Sequence, residues 1–284
     1  MDASKVDALI RSINHARDVE YTLVERANSG ESGAWIIVDP AERRFILKAG
    51  SGVEFRPKVA ADITKTLRSL DYPAPQYELI GSFEEDRYAI QELMPGARLL
   101  NRELTPQIIS RLVELTRIQR GRSDSPNAQW KAELKRSLTE GFQDYCRLDA
   151  LREDSPDFLQ FLQGIVEANL DAPHPANDIV HWDFHQGNIL VEGNRVTGVV
   201  DWDGVRTGDA SFDLATLLFY LYPHPEVRKP FHDEALAHSS RGAFQIYLAH
   251  MIIRQLDWSI RNHPPPTLAY FRGIADGIVR DFLS

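Results

Sequence analysis

The chain has 284 residues, 43% of them hydrophobic and 26% charged, with a formal net charge of −9. That length suits one large domain or two modest lobes, and the acidic balance argues against duplex nucleic acid or an anionic membrane surface as the main partner, because both demand a basic face. The one cysteine, Cys146, rules out a disulfide framework or a Cys-rich zinc site within one chain and reads as a small apolar residue buried in a helical stretch.

Residues 1–10 carry two aspartates and no apolar core, unlike a signal peptide. Val6, Leu9, Ile10 and Ile13 mark a short amphipathic helix over 2–15. Three antiparallel strands follow at 21–26, 34–38 and 44–47, separated by the Gly- and Ser-rich turn 28–33 and by Asp39-Pro40-Ala41. Ile63, Leu67 and Leu70 place a helix over 58–70, which the two prolines of Tyr72-Pro73-Ala74-Pro75 must end. Strands are expected at 77–80 and 87–92. Met94-Pro95-Gly96 then breaks the pattern. Beyond it, helices are expected at 106–120, 127–147, 156–170, 209–222, 239–262 and 265–283. Two strands at 189–192 and 196–200, joined by Gly193-Asn194, interrupt them as a hairpin. The longest apolar run, 214–221, is far too short to span a membrane. The expectation is an α+β protein with a nucleotide-binding β lobe at 1–93, a hinge at 94–97 and a mainly α lobe at 98–284. A cleft between the lobes would be a natural ligand site. A cytoplasmic protein, monomeric or dimeric, is expected.

The chemistry concentrates in His181-Trp182-Asp183-Phe184-His185-Gln186-Gly187-Asn188-Ile189-Leu190-Val191, followed by Val199-Val200-Asp201-Trp202-Asp203. Carboxylates set among apolar strand-formers are costly unless they bind a cation or hydrogen-bond donors. The hairpin returns the end of its second strand beside the start of its first, so Asp183, Asn188 and Asp201 can converge. Hard oxygen ligands that leave room for phosphate and water suit Mg²⁺. Asp183 is then placed to accept a hydroxyl proton and orient a nucleophile for phosphoryl transfer, with Asn188 and Asp201 on the metal. Taken alone, His-x-Asp-x-His would equally fit a core cluster or a transition-metal site, since i, i+2 and i+4 on a strand share one face.

Together these segments resemble the catalytic and metal-binding motifs of the aminoglycoside phosphotransferase (APH) family, whose usual form is His-Gly-Asp-Leu-His-x-Gly-Asn and then Ile-Asp-Trp/Phe. Gly208-Asp209-Ala210-Ser211-Phe212-Asp213-Leu214-Ala215 is similar to the family's Gly-Asp-Pro-x-x-Asp-Leu-Ala. The resemblance covers about residues 18–222 and implies a protein-kinase-like two-lobed fold. It implies that Asp183 is the catalytic aspartate, that Asn188 and Asp201 bind metal, that His181 is structural and that Asp213 braces the catalytic loop. Trp182 stands where the family has a small residue, so the loop backbone is expected to sit differently. Lys48, in Phe45-Ile46-Leu47-Lys48, matches the lysine that reaches the α- and β-phosphates. Its usual helix glutamate is missing from 58–70; Asp62 is the nearest acid there and Glu54 precedes the helix.

Ser29, Gly30 and Ser32 sit in a loop small enough for backbone N–H groups to approach phosphates, and no Walker-type loop is present. Gln91-Glu92-Leu93-Met94-Pro95-Gly96 is similar to the family's hinge, so Glu92 and Met94 are expected to offer backbone groups to the base of ATP or GTP. The resemblance implies a hydroxyl-bearing small molecule as the acceptor. Asp203, Asp209, Glu226, Asp233, Glu234 and Asp257 are candidates for a cationic one, with Asp203 foremost because it lies two residues past Asp201. Trp202, Trp258 and Tyr222 line a pocket or fill the core, and His224 and His232 fall in a Pro-broken segment with the look of a mobile flap. The resulting expectation is an O-phosphotransferase acting on an aminoglycoside or other cationic antibiotic. The alternatives are a metabolic kinase for homoserine, choline or a sugar, and a nucleotide-binding pseudokinase that acts by interaction. Neither Asp-Phe-Gly nor Ala-Pro-Glu is present, which argues against a protein substrate.

Overall fold

The computed structural model describes residues 3–27, 33–52, 55–141 and 146–284, with only the backbone of Asn101. The loop residues Ser29, Gly30 and Ser32, and Glu54, lie outside the described residues. The chain divides into two compact units: Met1–Arg102 with Asn188–Val205, and Glu103–Gly187 with Arg206–Ser284. The division expected from the sequence was continuous, at 93–98; the observed one is not, because a hairpin from the middle of the chain pairs with the end of the first segment.

In the first unit α1 (Ala3–Arg17) precedes β1 (Thr22–Arg26), β2 (Ala34–Val38) and β3 (Arg44–Gly50). After α2 (Pro57–Arg68) come β4 (Tyr77–Phe83) and β5 (Asp86–Glu92). The five strands form an antiparallel sheet in the order β1-β2-β3-β5-β4. Val6, Leu9, Ile10 and Ile13 form one helical stripe on α1, and it packs on Trp35, Ile37, Phe45, Leu47, Tyr88 and Ile90. Each of these large side chains contributes roughly 1.5–3 kcal/mol when withdrawn from water. Alternation along β3 sends Phe45 and Leu47 to that core and Lys48 to the other face.

A second sheet in this unit joins β6 (Ala97–Arg98), β8 (Ile189–Glu192) and β9 (Arg195–Val199). Its middle is tied to the segment after β5. The Thr197 hydroxyl donates to the Pro95 carbonyl at 2.7 Å. Gly96 adopts φ +105°, and a Cβ there would lie 2.9 Å from the Val191 carbonyl oxygen. Only glycine satisfies both the angle and the approach.

The second unit is built from α3 (Pro106–Gln119), α4 (Trp130–Thr139), α5 (Asp149–Asp154), α6 (Pro156–Ala168), α7 (Ser211–Leu221), α8 (Pro225–His238), α9 (Arg241–Asn262) and α10 (Pro265–Ile278). A short ladder pairs β7 (Asp178–Val180) with β10 (Arg206–Gly208). α7 is the apolar run noted in the sequence and is buried on nearly every side, as a helix apolar all round must be. The helix expected over 127–147 is shorter: Gly141 and Leu148 take φ +88° and +68°, and Cys146, though fully buried, lies outside any helix. No described helix is long and apolar enough to cross a membrane.

The segment expected to be a mobile flap is instead α8. Pro225 occupies its first turn, where the missing N–H costs nothing, and Pro230 is accommodated within it. The helix is clamped to α3 by Glu234, which is 7% exposed and accepts from Arg117 Nε at 2.9 Å and from Arg120 Nη2 at 2.6 Å. The hydrogen bond from Arg117 leads in holding the Glu234 carboxyl below its ordinary range. A carboxylate with a depressed folded-state pKa stabilises the fold at neutral pH and loses that contribution as pH falls through the ordinary glutamate range. Thermal unfolding of Glu234→Gln should therefore show a loss of about 1–3 kcal/mol at pH 7, and the difference from the parent should shrink between about pH 5 and pH 3.

Candidate active site

In the first unit, Lys48 Nζ donates to Asp201 Oδ1 at 2.6 Å and to Asp203 Oδ2 at 2.9 Å. The lysine is 12% exposed. Burial works against its charge, but the two carboxylates outweigh it and its pKa rises above the ordinary lysine range. Asp203 is pushed up by burial, with the Lys48 charge pulling the other way and Asp201 adding to the rise. Asp62 is exposed on α2 and is not the partner of Lys48: the missing helix glutamate is replaced by the acids that follow β9. Pairing across the hairpin, Ile189 with Val199, puts Asn188 beside Val200, whose N–H donates to the Asn188 carbonyl at 2.9 Å. Asn188 is 6% exposed. Asp201 itself adopts φ +68°, ψ +57° and opens a short 3₁₀ turn over Trp202–Gly204. That turn is braced by the Arg56 guanidinium on the Val205 carbonyl at 2.7 Å and by Trp202 packed edge-on to Tyr72.

Glu92 ends β5. Its N–H donates to the Gln76 carbonyl at 2.8 Å, and its carboxylate accepts from Arg68 at 2.9 Å and from the Gln76 N–H at 3.2 Å. The Glu92 side chain is therefore spent on α2 and on the residue before β4. Met94 lies against Gly198 of β9, where a Cβ would come within 3.0 Å of its own Cβ.

In the second unit, Asp213 on α7 accepts from the backbone N–H of His181 at 2.8 Å, from that of Trp182 at 3.0 Å and from Gln119 Nε2 at 2.7 Å. Burial raises its pKa to about 7, although these three donors pull it down. His181 is fully buried, and its Nδ1 accepts the Asp183 N–H at 3.3 Å. Trp182 takes φ +78°, the left-handed region that costs most residues about 1–2 kcal/mol. The angle is one that glycine reaches freely, which is the physical sense of the family's small residue here. The tryptophan is held by a face-to-face stack on Phe212 at 4.6 Å and by the Arg206 guanidinium 4.3 Å from its ring centre.

Asp183 Oδ1 accepts from Arg254 Nη2 at 2.5 Å, and Oδ2 faces His185 Nε2 at 3.4 Å. Burial would raise its pKa, but Arg254, then His185 and His181, hold it well below the ordinary carboxylate range. Sequence reasoning missed Arg254. The available signal was a lone cation in the mostly apolar middle of α9, where a charge demands a partner. His250, one turn earlier, is kept neutral by burial, with Arg254 and Arg206 adding to the effect, and its pKa falls to about 3.

The other acids proposed for a cationic acceptor are engaged internally. Asp209 accepts from Tyr247 and Ser211. Asp233 pairs with Lys229, and Glu234 with Arg117 and Arg120. Asp257 is fully buried and accepts from the Arg147 and Leu151 N–H groups and from Arg261. Glu226 lies 3.6 Å from His224. Trp202 is fully buried, and Tyr222 is buried with its hydroxyl on Asp281.

Residues 24–245 match the phosphotransferase enzyme family, APH, and the chain belongs to that family. It is similar to the hygromycin-B 4-O-kinase of Escherichia coli, with 36% identity over 42 residues, a stretch that spans 12% of that protein's length. Among solved structures it resembles a thermostable mutant of aminoglycoside phosphotransferase APH(4)-Ia bound to ADP and hygromycin B. The TM-score is 0.72 at 18% identity, over 96% of this chain and 98% of that one. It also resembles spectinomycin phosphotransferase APH(9)-Ia bound to ADP and spectinomycin, with a TM-score of 0.61 at 13% identity over 96% and 94%. The amicoumacin kinase bound to AMP-PNP and Ca²⁺ gives 0.68 at 13% identity over 97% and 96%. The fold is that of the kinase-like aminoglycoside phosphotransferases.

The Lys48 triad makes a stability prediction that does not depend on substrate. Lys48→Met strands two carboxylates in a partly buried place and should destabilise the nucleotide-free protein by about 3 kcal/mol. Adding Asp203→Asn should restore part of that loss, a coupling that a double-mutant cycle on chemical denaturation would read directly.

Proposed function

We propose that this protein transfers the γ-phosphate of ATP or GTP to a hydroxyl of a small antibiotic of the aminoglycoside class. The observation that carries the reading is the Lys48–Asp201 bond at 2.6 Å, which joins the strand lysine of the nucleotide site to the first acid after the hairpin. Asn188 and Asp201, with Asp203 beside them, are a set of hard oxygen donors that fits Mg²⁺; bound there, it would neutralise phosphate charge. Lys48 would turn from these carboxylates to the phosphates when nucleotide enters. Backbone groups around Glu92 and Met94 would take the base, and the loop containing Ser29, Gly30 and Ser32 would cover the phosphates.

Asp183, held anionic, would accept the hydrogen bond of the acceptor hydroxyl and aim its oxygen. Phosphoryl transfer asks mainly for such positioning and for charge stabilisation. His181 and Asp213 would keep the loop in shape. The support for an antibiotic acceptor is the family together with the ligands of its solved relatives. Asp209, Asp233, Glu234 and Asp257 are held by internal partners; Asp203 is held by Lys48 and would become open to a cationic group once Lys48 turns to the phosphates. We place the enzyme in the cytoplasm, free of nucleic acid.

A coupled assay of ADP or GDP release with Mg²⁺, run against hygromycin B, spectinomycin, other aminoglycosides, homoserine and choline, tests this. Acceptor-dependent release should appear with at least one antibiotic and fall at least a thousand-fold in Asp183→Asn, on the order of a lost central catalytic group. Release with a metabolic alcohol alone would move the protein to the second class. Nucleotide binding without release to any acceptor would favour a pseudokinase.

A further inference from the structure

We propose that Arg254 is a positioning residue for the transfer: its guanidinium fork holds the Asp183 carboxylate and the Trp182 peptide together and so fixes the direction in which the aspartate meets the acceptor hydroxyl. The inference rests on the phosphotransfer reading for its functional meaning and on geometry for its content. Nη2 donates to Asp183 Oδ1 at 2.5 Å, and Nη1 donates to the Trp182 carbonyl at 3.1 Å. Two adjacent chain positions are thus bound by one rigid, planar group, which a single ammonium cannot imitate.

The platform is stiff. Arg254 is 12% exposed and rises from the middle of α9, flanked by buried Ile253, Gln255 and Leu256. Gln255 accepts from the Tyr220 hydroxyl at 2.5 Å, which pins the same turn to α7. The peptide being clamped is the one whose tryptophan sits at φ +78°. A strained turn persists only when its surroundings over-determine it, and Arg254 supplies a constraint on the carbonyl side to match Asp213 on the N–H side.

Oδ1 is engaged by Arg254, and Oδ2 lies on the side of His185, so the carboxylate plane is set by groups on both of its edges. The charged and titratable groups facing Asp183 are Arg254 from α9, Tyr220 and Asp213 from α7, and His181 and His185 from its own loop. Arg254 is the foremost of those that favour the anion. Asp183 is consequently a weak base, and its task is aim rather than proton abstraction, in keeping with a loose transition state.

The test is an NMR titration of the Asp183 carboxyl carbon, assigned with Asp183→Asn, in the parent, Arg254→Met and Arg254→Lys. Mg²⁺-ATP turnover is measured alongside, with hygromycin B as the acceptor probe. In Arg254→Met the Asp183 titration should rise by at least about one pH unit, as expected on losing a cation in contact. In Arg254→Lys the titration should stay depressed, but kcat should fall about ten- to a hundred-fold with the nucleotide KM unchanged, because charge survives and the fork does not. A merely structural arginine would lower Tm and leave both readouts where they were. An unmoved titration in Arg254→Met, or parental kcat in Arg254→Lys, overturns the proposal. If Arg254→Met does not fold, the Lys variant decides by its kcat. If the parent itself does not turn over hygromycin B, the acceptor assignment fails separately, and the titration still decides whether Arg254 governs Asp183.

Discussion

The carboxylate of Asp213 is the point from which the second unit's chemistry is organised. A loop that departs from regular structure leaves its N–H groups without ladder partners, and buried N–H groups must find acceptors. Here one side chain on α7 accepts two consecutive backbone N–H groups, from His181 and Trp182, plus the Gln119 amide. Those bonds set the left-handed turn at Trp182. The turn aims Asp183, and Asp183 in turn meets Arg254. Each later step inherits its geometry from that first acceptor. The cost is a buried carboxyl poised near neutrality, its pKa raised by burial to about 7, which the fold tolerates because three donors converge on it.

The first unit solves the same problem with the signs reversed. Its buried charge is the cation Lys48, and the acids come to it from a distant part of the sequence. The two arrangements differ in permanence. The Asp213 bonds are to backbone and a buried amide, which nothing in the proposed reaction displaces. The Lys48 bonds are ion pairs between side chains, 12% exposed on the lysine and 33% and 19% exposed on the acids, which an incoming charge can exchange. The second unit thus carries a fixed brace and the first an exchangeable pair.

Much of this was legible in the sequence. β2 and β3 follow period-2 burial, and α1 and α3 follow their apolar stripes, so their existence was predictable to within a few residues. The hairpin Ile189–Val199 was readable from its two apolar runs and Gly193-Asn194, and its return beside Asn188 followed from register. What escaped was set by tertiary context. β7 and β10 are three residues each, and β10 reads Arg-Thr-Gly, with no apolar signal. The helix over 127–147 was overcalled because its apolar spacing continues past Gly141, where the backbone turns positive. The helical state of α8 was hidden by its prolines, yet Pro225 sits where a helix accepts it. The partner of Lys48 could not be found on α2, since Asp203 is distant in sequence and near only through the fold. Arg254 is the same case in the other unit.

The first unit is written in two pieces, with 85 residues of the second unit, Glu103–Gly187, between them. For the nascent chain this imposes a waiting time. The five-stranded sheet can form as soon as β5 has emerged, but Ala97 and Arg98 have no strand to pair with until β8 arrives, and Lys48 meets no acid until residue 201 is made. At about 5–20 residues per second, that interval is several seconds. During it Lys48 is without the two acids that it meets in the folded chain. The order of synthesis therefore lets the five-stranded sheet form before the hairpin that completes the first unit is made.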